Sequence, residues 1–246
     1  MLRLDLEYDG AGFRGWAHQP GLRTVEGVLR DALARLVGHP VTLSVAGRTD
    51  AGVHALAQVV SVPVSSALPC GQIVRALGAL LPDEVAARAV ADAPAGFDAR
   101  RDALSRRYEY RLLRGPDSPL RRGRVHAVRR RLDVPAMEAA AELLVGRHDF
   151  RAFTPARTGH VFFHRTVTEC RFEQRGDELV LMIEANAFMR AMVRTVMGTL
   201  LDVGTGRRNP ESVGELLTGA PRSAAGPTAP PHGLCLVAVR YRAGAG

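Results

Sequence analysis

Apolar residues in this chain switch between a spacing of two and a spacing near 3.6 in an order that occurs twice, and that order restricts the fold more than any other feature. Leu2, Leu4, Leu6 and Tyr8 alternate with Arg3, Asp5 and Glu7, which predicts a half-buried strand over 2–8. Residues 9–23 are glycine-rich and read as a loop; its Phe13, Arg14, Trp16 and His18 could touch a ligand, or Trp16 could cap the core. Thr24 is an N-cap for a helix through Val25, Val28, Leu29, Leu33 and Leu36. Strands are predicted over 41–47 and 57–64, a helix over 71–81 with Ile73, Val74, Leu77 and Leu80 on one face, and a strand over 85–90. The second half repeats the order: a strand over 106–113, a helix capped by Asp133 with Pro135 in its first turn and reaching about Val145, and a hairpin of 165–174 and 178–185 around Arg175-Gly176-Asp177. A helix over 188–203, a short helix from Pro210 behind Asn209 as N-cap, and a strand over 234–241 complete it. No sequence repeat accompanies this repeated order. It predicts an α+β fold of two ferredoxin-like β-α-β-β-α-β halves, 1–96 and 97–246, joined near 92–96. Their sheets, joined edge to edge, would form a mainly antiparallel platform flanked by helices, with a central cleft suited to a long ligand.

Composition narrows the chemistry. The 246 residues are 46% hydrophobic, enough for a core, but no apolar run approaches the roughly 20 residues that span a bilayer. The N-terminus lacks a signal-peptide core, so a cytoplasmic protein without membrane contact is expected. Cys70, Cys170 and Cys235 form no C-x-x-C pair and read as buried small hydrophobes. The histidines show no zinc spacing, which predicts no metal. Lysine is absent, which excludes Schiff-base chemistry and a P-loop. Gly10-Ala11-Gly12 lacks the downstream pattern of a dinucleotide fingerprint, and there is no G-x-S-x-G elbow. With a net charge of +8, carried on the basic side by arginine alone, the chain suits a polyanionic partner, nucleic acid foremost. Twelve arginines fall between Arg100 and Arg131, interleaved with Tyr108, Tyr110 and His126; they form either an RNA-facing patch or a solvated face.

Carboxylate chemistry with arginine partners remains, and Gly47-Arg48-Thr49-Asp50-Ala51-Gly52-Val53-His54 is its candidate seat. The segment joins two apolar runs, so it would stand at a strand end. Taken alone, Asp50 is either a catalytic carboxylate or a turn residue bonding its own backbone.

That string, followed by Gln58-Val59-Val60, resembles the signature of the tRNA pseudouridine synthase A family. The resemblance continues in order through Tyr8-Asp9-Gly10, Phe13, Gly15-Trp16, Phe97-Asp98-Ala99-Arg100 and Arg107-Tyr108-Glu109-Tyr110. It extends to Asn186-Ala187-Phe188, Met192-Val193-Arg194, Gly198, Gly226-Pro227-Thr228-Ala229-Pro230 and His232-Gly233-Leu234. Ala17, where the family often has glutamine, and Arg190-Ala191, in place of a pair that frequently contains histidine, depart from it.

The resemblance implies a pseudouridine synthase fold and a homodimer without metal or cofactor. It further implies that uridine is isomerised in the tRNA anticodon stem-loop, at positions 38–40. Asp50 matches the family's catalytic aspartate and Arg48 its neighbour, Arg194 the arginine that pairs with it, and Tyr108 the tyrosine that stacks on the target base. Arg14, Arg100 and His54 are further candidates for substrate binding, His54 chiefly as support for the turn. The chemistry agrees: the N-glycosidic bond must break and the uracil rejoin through C5 with no redox change. An ionised Asp can attack or stabilise the anomeric carbon as cation character develops there, as in retaining glycosidases. The target base must leave its stack, at a cost of a few kcal/mol, and stacking on Tyr108 would offset about 1–3 kcal/mol of that.

Overall fold

The computed structural model describes residues 1–64 and 68–242; the predicted end of the second half at 246 lies outside them. In chain order the first elements are β1 (Leu2–Tyr8), α1 (Val25–Val37), β2 (Ser44–Val45), β3 (His54–Val62), α2 (Cys70–Leu80) and β4 (Val85–Asp92). Then come β5 (Ser105–Arg114), β6 (His126–Val128), α3 (Val134–Glu142), β7 (Gly146–Asp149), β8 (His164–Arg175) and β9 (Glu178–Ala185). The chain ends with α4 (Met192–Gly204), α5 (Ser212–Glu215) and β10 (Leu234–Arg240), and short 3-10 turns occupy Arg151–Phe153, Arg222–Ala224 and Pro231–Gly233. Among these elements no helix is long and apolar enough to cross a membrane.

The chain forms two compact units, Met1–Arg106 with the residues from Cys235 on, and Arg107–Leu234. In the first, the strand order is β4-β1-β3-β10, with β2 beside β3. The β1–β3 and β1–β4 pairs are antiparallel, whereas β10 runs parallel to β3 with Cys235 opposite His54. Alternation in β1 works as the sequence predicts, since Leu2, Leu4, Leu6 and Tyr8 are all buried. Thr24 caps α1 by accepting from Gly27 N–H, and Gly38, in the left-handed region at φ 80°, closes it. Leu29 and Leu33 of α1 and Ile73 and Leu77 of α2 are at most 1% exposed, each worth about 1.5–3 kcal/mol of transfer free energy.

In the second unit the order is β5-β9-β8-β7, with β6 parallel to β5. β8 and β9 form the predicted antiparallel hairpin, with Gly176 at φ 62° in its turn. Asp133 caps α3 through Ala136 N–H, with Pro135 in the first turn.

Several local expectations need correction. The strand predicted over 41–47 shrinks to Ser44–Val45, which pair with Ser61 and Val60 of β3, and Ala46 adds one further bond, from its N–H to Val59 O. β3 begins at His54, so the last residue of the Gly47–His54 motif is already strand. The helix predicted from 188 starts at Met192. Ala191 breaks it in the left-handed region at φ 58°, a strained conformation for a residue with a Cβ. Asn209 serves α5 through its carbonyl, which accepts from Ser212 N–H and Oγ–H, and not through a side-chain cap. Of the three cysteines only Cys170 is buried.

Candidate active site

The Gly47–His54 loop is held from four directions. At its start, Gln58 is fully buried in the middle of β3, and an amide there must be satisfied locally. Its Nε2 donates to Gly47 O (2.6 Å) and its Oε1 accepts from Gly47 N–H (3.3 Å), so both polar groups of Gly47 are clamped. Gln58 Nε2 also donates to the Tyr8 hydroxyl (3.1 Å), which lies 2.8 Å from Thr49 Oγ1. Burial pushes the Tyr8 phenol well above its ordinary range, against the opposing pull of its bonds to Thr49 and Gln58, so it remains a neutral donor.

The glycine-rich loop after β1 supports the other side. Trp16 N–H donates to Thr49 O (3.0 Å), and Gly15, at φ 95°, brings its backbone so close that a Cβ would meet Thr49 O at 3.1 Å. Gly10 is tighter still, for a Cβ there would overlap the Val53 carbonyl. Trp16 is 1% exposed and its ring lies 5.9 Å from that of Tyr8, so it belongs to the core. Within the loop, Gly52 at φ 79° makes the turn and Val53 N–H donates to Asp50 O (3.2 Å). His54 is 3% exposed, and its Nδ1 lies 3.0 Å from Asp9 Oδ1 and 3.2 Å from Gly10 N. With a proton on Nδ1 it donates to the carboxylate; without one it accepts from Gly10 N–H. Either way it ties the two loops together. In this frame Asp50 is half-buried and Arg48 exposed.

The Phe97–Arg100 motif forms a second support. Asp98 Oδ1 accepts from the N–H groups of Arg100 and Arg101, both at 2.8 Å. Burial would raise the Asp98 carboxyl, but the backbone of Arg101, the Ser44 hydroxyl and the backbone of Arg100 hold it below the usual range. Arg106, only 7% exposed, donates from Nε to Ala46 O (2.9 Å), from Nη1 to Ala103 O (3.1 Å) and from Nη2 to Arg100 O (2.6 Å). It thereby fixes the residue that precedes the Gly47 loop. Arg14 and Arg100 themselves are exposed.

In the second unit, Tyr108 of β5 is 6% exposed and stands edge-on to Phe188, with ring centroids 5.1 Å apart. Tyr110, on the same face, is fully buried and donates to Pro230 O (2.9 Å). Its burial raises the phenol despite the nearby positive charge of Arg194. Arg194 sits in the first turn of α4 and is tied to Ala229: its Nε donates to Ala229 O (2.8 Å) while its own carbonyl accepts from Ala229 N–H (3.0 Å). The Gly226–Pro230 strap can lie this close because Gly198 has no Cβ to strike the Pro227 carbonyl. Met189, Met192 and Met197 are buried packing residues.

Sequence places Tyr8 on a buried strand face, Tyr8, Thr49 and Gln58 in the family-like strings and Arg106 at a strand start, but it does not show that these four side chains brace the Gly47–His54 loop. A glutamine inside the apolar run 57–64 was the available signal. Arg106 was hidden inside an arginine run, where exposure is the ordinary expectation. Among the described residues no cluster of three His, Cys, Asp or Glu side chains could hold a metal ion.

Against known proteins, the family model described as tRNA pseudouridine synthase matches residues 6–100 and 140–242. The first segment contains Arg14, Arg48, Asp50, His54 and Arg100, the second Arg194, while Tyr108 falls between them. The tRNA pseudouridine synthase A of Frankia casuarinae is 49% identical over 98% of this chain and 89% of its own length. The proteins of the same name from Thermus thermophilus and Geotalea uraniireducens are 45% and 39% identical, each over 98% of this chain and 96% and 99% of their own lengths. Similarity at this level runs through the loop that carries Asp50 and through the helix that carries Arg194, and on it the chain belongs to the tRNA pseudouridine synthase family.

Proposed function

We propose that the protein isomerises uridine to pseudouridine in the anticodon stem-loop of tRNA, at positions 38–40, with Asp50 as the catalytic carboxylate. The observation that carries this reading is the Gly47–His54 loop: it resembles the family's aspartate signature, lies within the segment that matches the family model, and its backbone is clamped at Gly47, Thr49 and Val53. A fixed backbone can hold a carboxylate against a sugar carbon without reorganisation during the reaction.

The reaction breaks the bond between C1′ and N1, turns the uracil, and forms a bond between C1′ and C5. The C5 proton is released and N1 gains one. Asp50 stabilises or attacks C1′ as positive charge develops there. Arg48 and Arg194 are assigned to serve that step and Tyr108 to stack on the flipped base. Arg14 and Arg100, being exposed, suit phosphate contacts, and His54 supports the loop from beneath. The same reading takes the protein to be a cytoplasmic homodimer, and light scattering at the mass of one 26.5 kDa chain would remove the dimer.

Mapping the product on a single tRNA transcript tests the target. Pseudouridine is expected at one or more of positions 38–40. Product confined to another part of the molecule would overturn the stem-loop assignment.

A further inference from the structure

We propose that a groove around Arg129–Arg131 in the second unit binds the phosphodiester backbone of the RNA, several nucleotides from the reacting uridine. This rests on the function proposed above and adds a second contact region to it. Arg114, Arg129, Arg130, Arg131, Asp133 and Asp177 are its charged residues, and it encloses about 1180 Å³. Four guanidinium groups therefore face two carboxylates, and both carboxylates are already engaged. Asp177 is paired with Arg121 at 2.8 Å, and Asp133 accepts from Ala136 N–H at 3.0 Å as the cap of α3.

The arginines are not equivalent. Arg114 donates to Gln174 Oε1 (2.6 Å), and Arg129 forms a well-exposed pair with Asp117 (2.7 Å). Arg130 and Arg131 are exposed and have no ion-pair partner among the described residues. Elsewhere in the run, Arg107 is bound to Glu169 and Glu184, and Arg121 to Asp177 and Glu178. Part of the run is thus tied up in ion pairs, and although Arg100 and Arg122 are exposed elsewhere, three consecutive exposed guanidinium groups, Arg129 to Arg131, line this one groove. The carbonyl end of α4, which would repel an anion, is closed off here because Gly204 O accepts from Asp133 N–H (2.8 Å).

Two internal rulers place the groove away from the reacting base. Gly204 lies ten residues along α4 from Arg194, about 15 Å at roughly 1.5 Å per residue. Arg114 lies six residues along β5 from Tyr108, about 20 Å at roughly 3.3 Å per residue. At that range an RNA bound with its base at Tyr108 and Arg194 presents backbone, and an open groove with forked donors suits phosphate oxygens. The groove's arginines also lie between the two segments that match the family model.

The test uses the whole protein, one tRNA transcript and the double variant R130A/R131A. KM for the tRNA is expected to rise about tenfold near 0.1 M salt while kcat stays within about twofold, and the slope of log Kd against log salt to fall by about 1.5–2. R130K/R131K, which keeps the charge, should recover most of that slope. An unchanged KM and slope would overturn the proposal, as would a fall in kcat at constant KM. If wild type binds this tRNA but makes no pseudouridine, the parent reading fails instead, and the comparison of slopes still decides the groove.

Discussion

Replacing Asp50 by asparagine is expected to lower pseudouridine formation by about 10⁴ or more, the scale seen when a group acting directly on the reacting atoms is removed. The substitution conserves size and removes one charge. The backbone of the loop is held by bonds that do not use the carboxylate: Gln58 to Gly47, Trp16 N–H to Thr49 O, and Val53 N–H to Asp50 O. The variant should therefore fold and melt like wild type. Its affinity for tRNA should stay within about tenfold, because binding of a polyanion is spread over many arginines. Multiple-turnover product formation at constant tRNA affinity is the readout. Persistent turnover would leave Asp50 as no more than a turn residue.

A second large effect is expected from a methyl group. Gly10→Ala places a Cβ where the Val53 carbonyl now stands, and the obstacle is backbone on both sides. Neither segment can yield easily. Gly10 N is tied to His54 and its carbonyl accepts from Phe13 N–H, while Val53 leads directly into β3. Overpacking of this kind costs about 3 kcal/mol, which for a chain of this size lowers Tm by roughly 6–12 °C. Since the displaced carbonyl belongs to the Asp50 loop, activity should fall even below the melting range. Gly21→Ala is the control, because a Cβ there meets nothing within 4 Å, although its φ of 73° still costs about 1 kcal/mol. Equal Tm values for the two variants would contradict the close approach at Gly10.

What could be read from the sequence was whatever residues determine locally. β1 follows from alternation, α1 from Thr24 and its apolar stripe, and the β8–β9 hairpin from Arg175-Gly176-Asp177, because period and turn chemistry act over a few residues. Elements set by distant partners were not legible. β2, β6 and β7 are two, three and four residues long, too short to show a period. Residues 188–191 carry helical apolar spacing, yet Ala191 turns left-handed, and nothing in an alanine announces that.

The same division holds in the site. The Asp50 string was visible because it is contiguous. The clamp at Gly47 joins residues 11 apart, and the Arg106 bond to Ala46 joins residues 60 apart. Arg106 also shows why a run of arginines misleads: one guanidinium has five N–H donors, enough to satisfy three carbonyls in a buried position.

The most direct measurement of the central claim is tritium release from tRNA labelled at uridine C5. Forming the C1′–C5 bond expels the hydrogen at C5, so wild type should release tritium in proportion to enzyme and time, with no free uracil. Free uracil would mean that the glycosidic bond is broken and not remade, as in a hydrolase. Binding of the tRNA without tritium release would mean an RNA-binding protein without this chemistry. Either result would contradict a carboxylate at Asp50 isomerising uridine.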